Sequence, residues 1–175
     1  ESRKAYQRCL EIWTDGDPAW LSNRASVLHS LGRLAEFEDQ LDVAMSLADE
    51  ALQLRLLESE SDILDLTQIK VTMARLHRRM GDLDKAQELY NIAIEDLRAG
   101  GQGDSLMAAT ILNNLAVVNY ILKDYAKAES FYRKSLSQRR KFYPEGHSEI
   151  GGTLLGLASS LQRQERYLEA EPHLR

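Results

Sequence analysis

The chain has 175 residues, 43% of them apolar and 28% charged, with ten Gly, three Pro, one Cys and a formal net charge of −5. These values describe a soluble globular chain and exclude a disordered, collagenous or disulfide-stapled one. The acidic balance argues against nucleic acid as a partner, and no apolar run reaches the ~20 residues needed to cross a bilayer, which excludes a membrane span. The first predicted element is a helix over 1–14, closed by the turn and first-turn Pro of Asp15-Gly16-Asp17-Pro18. A helix then runs to about Glu38, and its partner covers roughly 41 to 57. Ser59-Glu60-Ser61-Asp62 opens the next helix with acids suited to its positive end, and Gly81 breaks it. The following helix ends at Ala99, and Gly100-Gly101-Gln102-Gly103 is a loop. Asp104 or Ser105 caps the next helix, Lys123-Asp124 turns the chain, and Tyr143-Pro144-Glu145-Gly146 ends the helix after that.

These elements repeat. Ser2, Ala44, Ala86, Ala128 and Ala170 stand 42 residues apart, with Gly32, Ala74, Ala116 and Ala158 in the same phase. Leu31, Met73, Leu115 and Leu157 form an apolar column beside them, and Tyr6, Ala48, Tyr90, Tyr132 and Leu174 another. Cys9, Ala51, Ala93 and Ser135 form a further small column, so Cys9 is expected to fill a packing position in a reducing compartment. Small side chains are needed where helices approach closely, as ridge-and-groove packing requires. No single helix pair can bury its apolar face alone, so neighbouring pairs must stack.

The order of these columns resembles the tetratricopeptide repeat. The period of 42, against the usual 34 or so, together with Leu112-Asn113-Asn114-Leu115-Ala116, Ala128-Glu129 and Gly146-His147, resembles the kinesin light chain subtype. The pattern departs from that subtype where Ser148 stands in place of a Pro and Leu155-Gly156 in place of the Asn pair. The resemblance implies an all-α solenoid of antiparallel helical hairpins wound as a right-handed superhelix. The expected organisation is a single domain over 1–175. A second helix of a preceding repeat occupies 1–14, followed by repeats over 18–58, 60–99 and 104–143 and a truncated one over 147–175.

Enzymatic chemistry has no foothold in this pattern. His29, His77, His147 and His173 are scattered and fit no metal-binding frame, and the Gly100–Gly103 stretch lacks the Lys and Ser or Thr of a phosphate loop. No nucleophile stands at a recognised spacing from a base. No catalytic residue, metal or cofactor is expected. Trp13 and Trp20 are read as packing across the first turn.

In the family register, the first helix of each repeat turns one face to a concave groove. That face carries Ser26, His29, Ser30, Arg33, Glu36 and Phe37, then Gln68, Val71, Thr72, Arg75, Arg78 and Arg79. It continues with Thr110, Asn113, Asn114, Val117, Tyr120 and Ile121, and then Gly152, Leu155, Gly156, Ser159, Gln162 and Arg163. Arg33, Arg75, Arg78, Arg79 and Arg163 can make bidentate contacts with carboxylates. The resemblance implies that Asn113 and Asn114 hydrogen-bond the backbone of an extended peptide, and Val117, Tyr120 and Ile121 offer a pocket for one anchoring side chain. Balanced by nearby acids, Arg75, Arg78 and Arg79 read instead as a solvated face.

The expected function is therefore a non-catalytic adaptor that binds a short, extended, acidic segment of a protein partner with one apolar anchor. The alternative is a scaffold that packs on another domain of its parent chain or on a second copy of itself. Neither nucleic acid nor membrane is an expected partner, and the expected location is cytoplasmic.

Overall fold

The computed structural model describes residues 20–58 and 62–173 together with Lys4, Arg8 and Cys9. Those three isolated residues are helical, and Cys9 is half-buried and free. Trp13, the Asp15–Pro18 turn, Ser59-Glu60-Ser61 and the remainder of the expected 1–14 helix lie outside the described residues. The described elements are all helical: α1 (Trp20–Phe37), α2 (Leu41–Leu56), α3 (Ile63–Met80), α4 (Leu83–Ala99), α5 (Leu106–Ile121), α6 (Tyr125–Phe142), α7 (Ser148–Arg163) and the short α8 (Tyr167–Ala170), followed by one 3-10 turn, Glu171–His173.

Two compact units divide the chain, Glu1–Leu89 and Tyr90–Arg175, with the division inside α4. In the first, α1 and α2 pair across a three-residue turn and α3 packs on both. Its core gathers Leu28, Ala35, Ala44, Ala48, Ala51, Ile69, Met73 and Leu76. Gly32 shows why the small columns exist: a Cβ there would lie 3.2 Å from the Ala44 carbonyl oxygen. In the second unit α5 pairs with α6, and α7 packs on both. Ala116, Ala128, Ala158 and Ala170 are fully or almost fully buried there, among Tyr132, Leu136, Ile150, Leu157 and Leu161.

Helix ends follow local chemistry. Asp62 accepts the Leu64 amide at 2.9 Å and Ser105 the Ala108 amide at 3.1 Å, so Ser105 rather than Asp104 caps α5. The turns inside the hairpins share one geometry. Asp39, Gly81, Lys123 and Glu165, each 42 residues from the next, are left-handed, with φ of 61°, 89°, 63° and 62°. The amide after each donates back to Ala35, His77, Asn119 or Leu161, at 2.9 to 3.0 Å. This is a Schellman closure, the regular way of satisfying the last carbonyls of a helix.

A second periodic feature was not visible in the apolar columns. Arg55 and Arg139, 84 residues apart, are 7% and 4% exposed. Arg55 donates to Ser22 at 2.6 Å and Ser26 at 2.7 Å and pairs with Asp65 at 2.8 Å. Arg139 donates to the Thr153 hydroxyl at 2.6 Å and pairs with Glu149 at 2.7 Å. Asp65 and Glu149 are also 84 apart, so one buried clamp joins α2 to α3 and the same clamp joins α6 to α7. Midway between them the register holds Leu97 and Met107. Exchange of an ion pair for an apolar pair is physically reasonable, because dehydrating two charges offsets most of their attraction.

Candidate functional site

The face expected to bind ligand is best followed within each unit. In the first, α1 and α3 carry it, and it is largely closed by its own side chains. Arg75 grips Glu36 with both arms, Nε to Oε1 at 2.7 Å and Nη2 to Oε2 at 2.6 Å. Arg79 donates to the Glu36 carbonyl oxygen at 2.7 Å and to Asp39 at 2.6 Å. Glu36, Val71 and Thr72, set on the outward face by the family register, are buried at 8%, 4% and 0% exposure. The reason is that α1 and α3 lie close enough for residues of one to cover those of the other. Arg78 is half-buried, with an Nε that has no hydrogen-bond partner among the described residues. Among the four Arg of this unit named as candidates, Arg33 is exposed and has no ion pair among the described residues.

His29 sits in a polar hollow of about 180 Å³ with Ser26, Ser30, Arg55, Asp65 and Gln68. Its Nε2 lies 2.9 Å from the Thr72 hydroxyl, which itself donates to the Gln68 carbonyl at 3.1 Å. Thr72 therefore accepts from His29, which fixes the neutral Nε2–H tautomer. Burial, and then the neighbouring Arg33 and Arg75 charges, push the imidazole pKa down to about 4.

The second unit carries the face on α5 and α7, and here it is open. Tyr120, Tyr132, Gly152, Leu155, Gly156 and Ser159 line a cleft of about 290 Å³. Its floor depends on Gly156: a Cβ there would lie 2.5 Å from Cζ of Tyr132, so the missing side chain lets that ring rest against α7. Gly152 has nothing within 4 Å of where a Cβ would stand, and Leu155 is 59% exposed. Tyr120 packs edge-on against Tyr125, with centroids 5.4 Å apart, and its hydroxyl accepts from Arg163 at 3.2 Å.

Val117 and Tyr120 are half-buried against the core, while Ile121 is 46% exposed. Asn113 accepts from the Thr153 hydroxyl at 3.3 Å and is thereby tied to the Arg139 clamp. Asn114 is half-buried and makes no side-chain hydrogen bond among the described residues. The structure thus brings Tyr120 and Arg163 together, and Arg75 and Arg79 together through Glu36. Tyr132, Gly152, Leu155, Gly156 and Ser159 join Tyr120 at the cleft. The sequence placed Gly152, Leu155, Gly156 and Ser159 on this face, but it set Tyr132 in a packing column and drew the expected pocket from Val117, Tyr120 and Ile121, of which Tyr120 lines the cleft.

A further polar cluster closes the end of this unit. Glu129 accepts from Gln164 at 3.0 Å, Arg166 at 2.6 Å and Arg133 at 2.9 Å. Burial alone would raise this carboxyl, but those bonds bring it below the usual carboxylate range. Among the described residues no group of His, Cys, Asp and Glu could hold a metal ion, and no helix is long and apolar enough to cross a membrane.

Comparison with known proteins supplies the remaining observations. Residues 65–141 match the family model of the tetratricopeptide repeat. The fold is similar to that of BtubC (BKLC) from P. vanneervenii, with a TM-score of 0.70 and 21% identity over 99% of this chain and 87% of that one. It is also similar to the apo form of RapI, with a TM-score of 0.80 and 18% identity. This chain covers 58% of RapI, with 98% of its own length aligned. The nearly identical repeats of a putative kinesin light chain from Podosopora anserina give a TM-score of 0.72 at 15% identity, over 99% of this chain and 80% of that one. A comparison with curated proteins gave no significant match.

Proposed function

We infer, from the premise that this chain is a tetratricopeptide-repeat protein, that it is a non-catalytic module that binds another protein. Repeats of this family serve in general as interaction scaffolds. The observation that carries the reading for this chain is the open cleft on the α5 and α7 face. It has apolar walls, an aromatic floor and no side chain of its own filling it.

The bound segment is short and extended, and it sets one apolar side chain between Tyr120, Leu155 and Tyr132. Removing an aliphatic side chain from water contributes about 1.5–3 kcal/mol, enough for one anchor to dominate a small contact. Asn114 can give and accept one hydrogen bond each with a peptide backbone, a contact that reads no sequence. Arg163 stands beside the cleft and supplies a guanidinium for a carboxylate next to the anchor. In the first unit Arg75 and Arg79 already hold Glu36 and Asp39, while Arg33 stays exposed. The acidic preference at the cleft is therefore read by Arg163 rather than by all five candidate Arg.

The experiment is a displayed random-peptide selection against the wild-type chain, Gly152→Leu and Arg163→Ala. Gly152→Leu fills the cleft from a position with free space around it, so folding is kept. The expected result is enrichment of sequences with one large apolar residue and adjacent acids. Gly152→Leu abolishes the enrichment, and Arg163→Ala removes only the preference for acids. Equal enrichment on all three proteins would overturn the reading.

A second reading rests on α8, where Tyr167 and Leu168 are 62% and 87% exposed. Such a surface suits packing on a second copy or on another domain. Sedimentation of the wild type and of Leu168→Glu decides it: concentration-dependent association lost in the variant supports the reading, and a monomer in both removes self-association.

A further inference from the structure

The α7 helix carries Gly152, Leu155, Gly156 and Ser159 of the cleft, and it begins at an unusual cap. His147 is its N-cap, with extended φ and ψ of −64° and 138°. The cap bond is made by the imidazole, whose Nδ1 accepts the Glu149 amide at 3.2 Å. Ser, Thr, Asp and Asn serve this role with oxygens that keep their lone pairs at neutral and mildly acidic pH. A histidine keeps its lone pair only while the ring is neutral.

We propose that His147 is a proton-sensitive cap, which holds the first turn of α7 closed when neutral and releases it when protonated. In the neutral ring Nδ1 is the acceptor and the proton is on Nε2. The ring is fixed in this pose by Tyr143, which it stacks on with centroids 3.9 Å apart and planes 8° from parallel. Protonation adds a hydrogen at Nδ1, so the nitrogen turns from acceptor to donor and faces another donor. It also sets a positive charge at the positive end of the helix dipole. Both effects disfavour the closed pose.

The charged residues nearest in the chain are Glu145 and Glu149, on either side of His147, and the α6 arginines Arg140 and Arg139 pair with them. Arg139 holds Glu149 at 2.7 Å and Arg140 holds Glu145 at 2.9 Å. Both acids remain half or more exposed, so either can receive an imidazolium that swings out of the cap. Stacking of a cation on Tyr143 opposes the release, and loss of the amide bond and the dipole repulsion favour it. The two pH values of the test bracket the range over which a histidine side chain in general changes charge. The consequence for ligand release rests on the cleft reading above, whereas the switch of the cap does not.

The test is amide hydrogen exchange of the whole chain at pH 7.5 and pH 5.5, read at Glu149 and Ile150 as protection factors corrected for the intrinsic pH dependence of exchange. His29 stays neutral throughout this window, since its pKa is held at about 4. The wild type is expected to lose about fivefold protection at Glu149 at the lower pH, comparable to the loss of an N-cap. His147→Asn keeps an acceptor that does not titrate, and it should hold its protection at both pH values. Wild-type protection that is flat, or that falls equally in His147→Asn, would overturn the proposal. Peptide affinity at the two pH values is read separately: a cap that switches in a chain that binds no peptide leaves the switch standing and removes the cleft reading.

Discussion

Glu36 and Tyr120 occupy the same register position, 84 residues apart, and their surroundings differ in kind. Around Glu36 the first unit places Arg75 and Arg79, and the three close a polar fork over the α1 and α3 face. Around Tyr120 the second unit places Ser159 and Arg163, at the positions of Arg75 and Arg79. The Arg79 contact survives in altered form, as Arg163 to the Tyr120 hydroxyl at 3.2 Å. The Arg75 contact has no counterpart, because Ser159 is too short to make it. Gly152 and Gly156 stand where the first unit has Gln68 and Thr72, which further deepens the space. One backbone register thus yields a closed, self-satisfied face in one unit and an open cleft in the other. Side-chain length at three or four positions decides which.

The comparison can be broken most severely at the feature both units share. Arg139→Ala removes a buried guanidinium held by Thr153 and Glu149 and should cost about 2–3 kcal/mol, somewhat less than a fully buried pair because Glu149 is half exposed and can rehydrate. Arg139→Leu with Glu149→Met copies the Leu97 and Met107 solution and should stay within about 1 kcal/mol of wild type. Urea unfolding of the two variants measures the difference. If the single and double variants lose equally, the clamp is not interchangeable with an apolar pair.

The next largest effect belongs to the first unit. His29 is protonated in the folded chain only near pH 4, but in the unfolded chain near 6.5. Between these values the unfolded state takes up the proton first, so acid favours unfolding. The stability linked to neutral His29 is intact above about pH 6.5, declines through the window and is lost by about pH 4. Allowing for partial exposure of the ring, the loss amounts to about 2 kcal/mol. Unfolding of wild type and His29→Asn between pH 7 and 4 checks it: the variant should show a shallower slope, and identical slopes would remove His29 as the cause.

The third prediction transfers the fork. Tyr120→Glu with Ser159→Arg recreates the Glu36 and Arg75 pair at the same 39-residue separation. Stability should fall by about 1–2 kcal/mol, since a half-exposed ion pair contributes little and the packing of Tyr120 on the core and on Tyr125 is lost, and peptide capture at the cleft should disappear. Retained capture with the same sequence preference would show that the cleft is not where the segment binds.

The sequence made the helical repeat legible because close helix approach tolerates few residue types. Gly32, Ala116, Ala128 and Ala158 had to be small, and a period in small residues is visible without any structure. The pairing of charges was less legible, for a geometric reason. Arg75 meets Glu36 at a separation of 39 and Arg79 meets it at 43, so partners fall in different columns of a 42-residue register. The columns set five Arg beside one acid on this face and left open that nearby acids balance Arg75 and Arg79, but they did not show that Glu36 holds both. The Arg55 and Arg139 clamp recurs only at every second repeat, with Leu97 between, and an apolar search passes over it. The extent of the cleft beyond Tyr120 was hidden for another reason, since it consists of absent side chains at Gly152 and Gly156 over a ring, that of Tyr132, counted as core.

The smallest effect tests the turns, where the same backbone is built from different residues. Asp39, Gly81, Lys123 and Glu165 all adopt the left-handed conformation, and one of the four is a glycine. A side chain with a Cβ costs about 1 kcal/mol in that conformation relative to glycine, partly offset by the extra freedom glycine gives the unfolded chain. Lys123→Gly should therefore stabilise the chain by about 0.5 kcal/mol, and Gly81→Lys should destabilise it by about the same amount. Because Lys123 is exposed and engages no acid among the described residues, the change isolates the backbone. Opposite signs in thermal unfolding would establish that the turn geometry is imposed by the hairpin and merely accommodated by its residues. Like signs would mean that the lysine side chain itself contributes to the turn, and that the two units close their hairpins by different means.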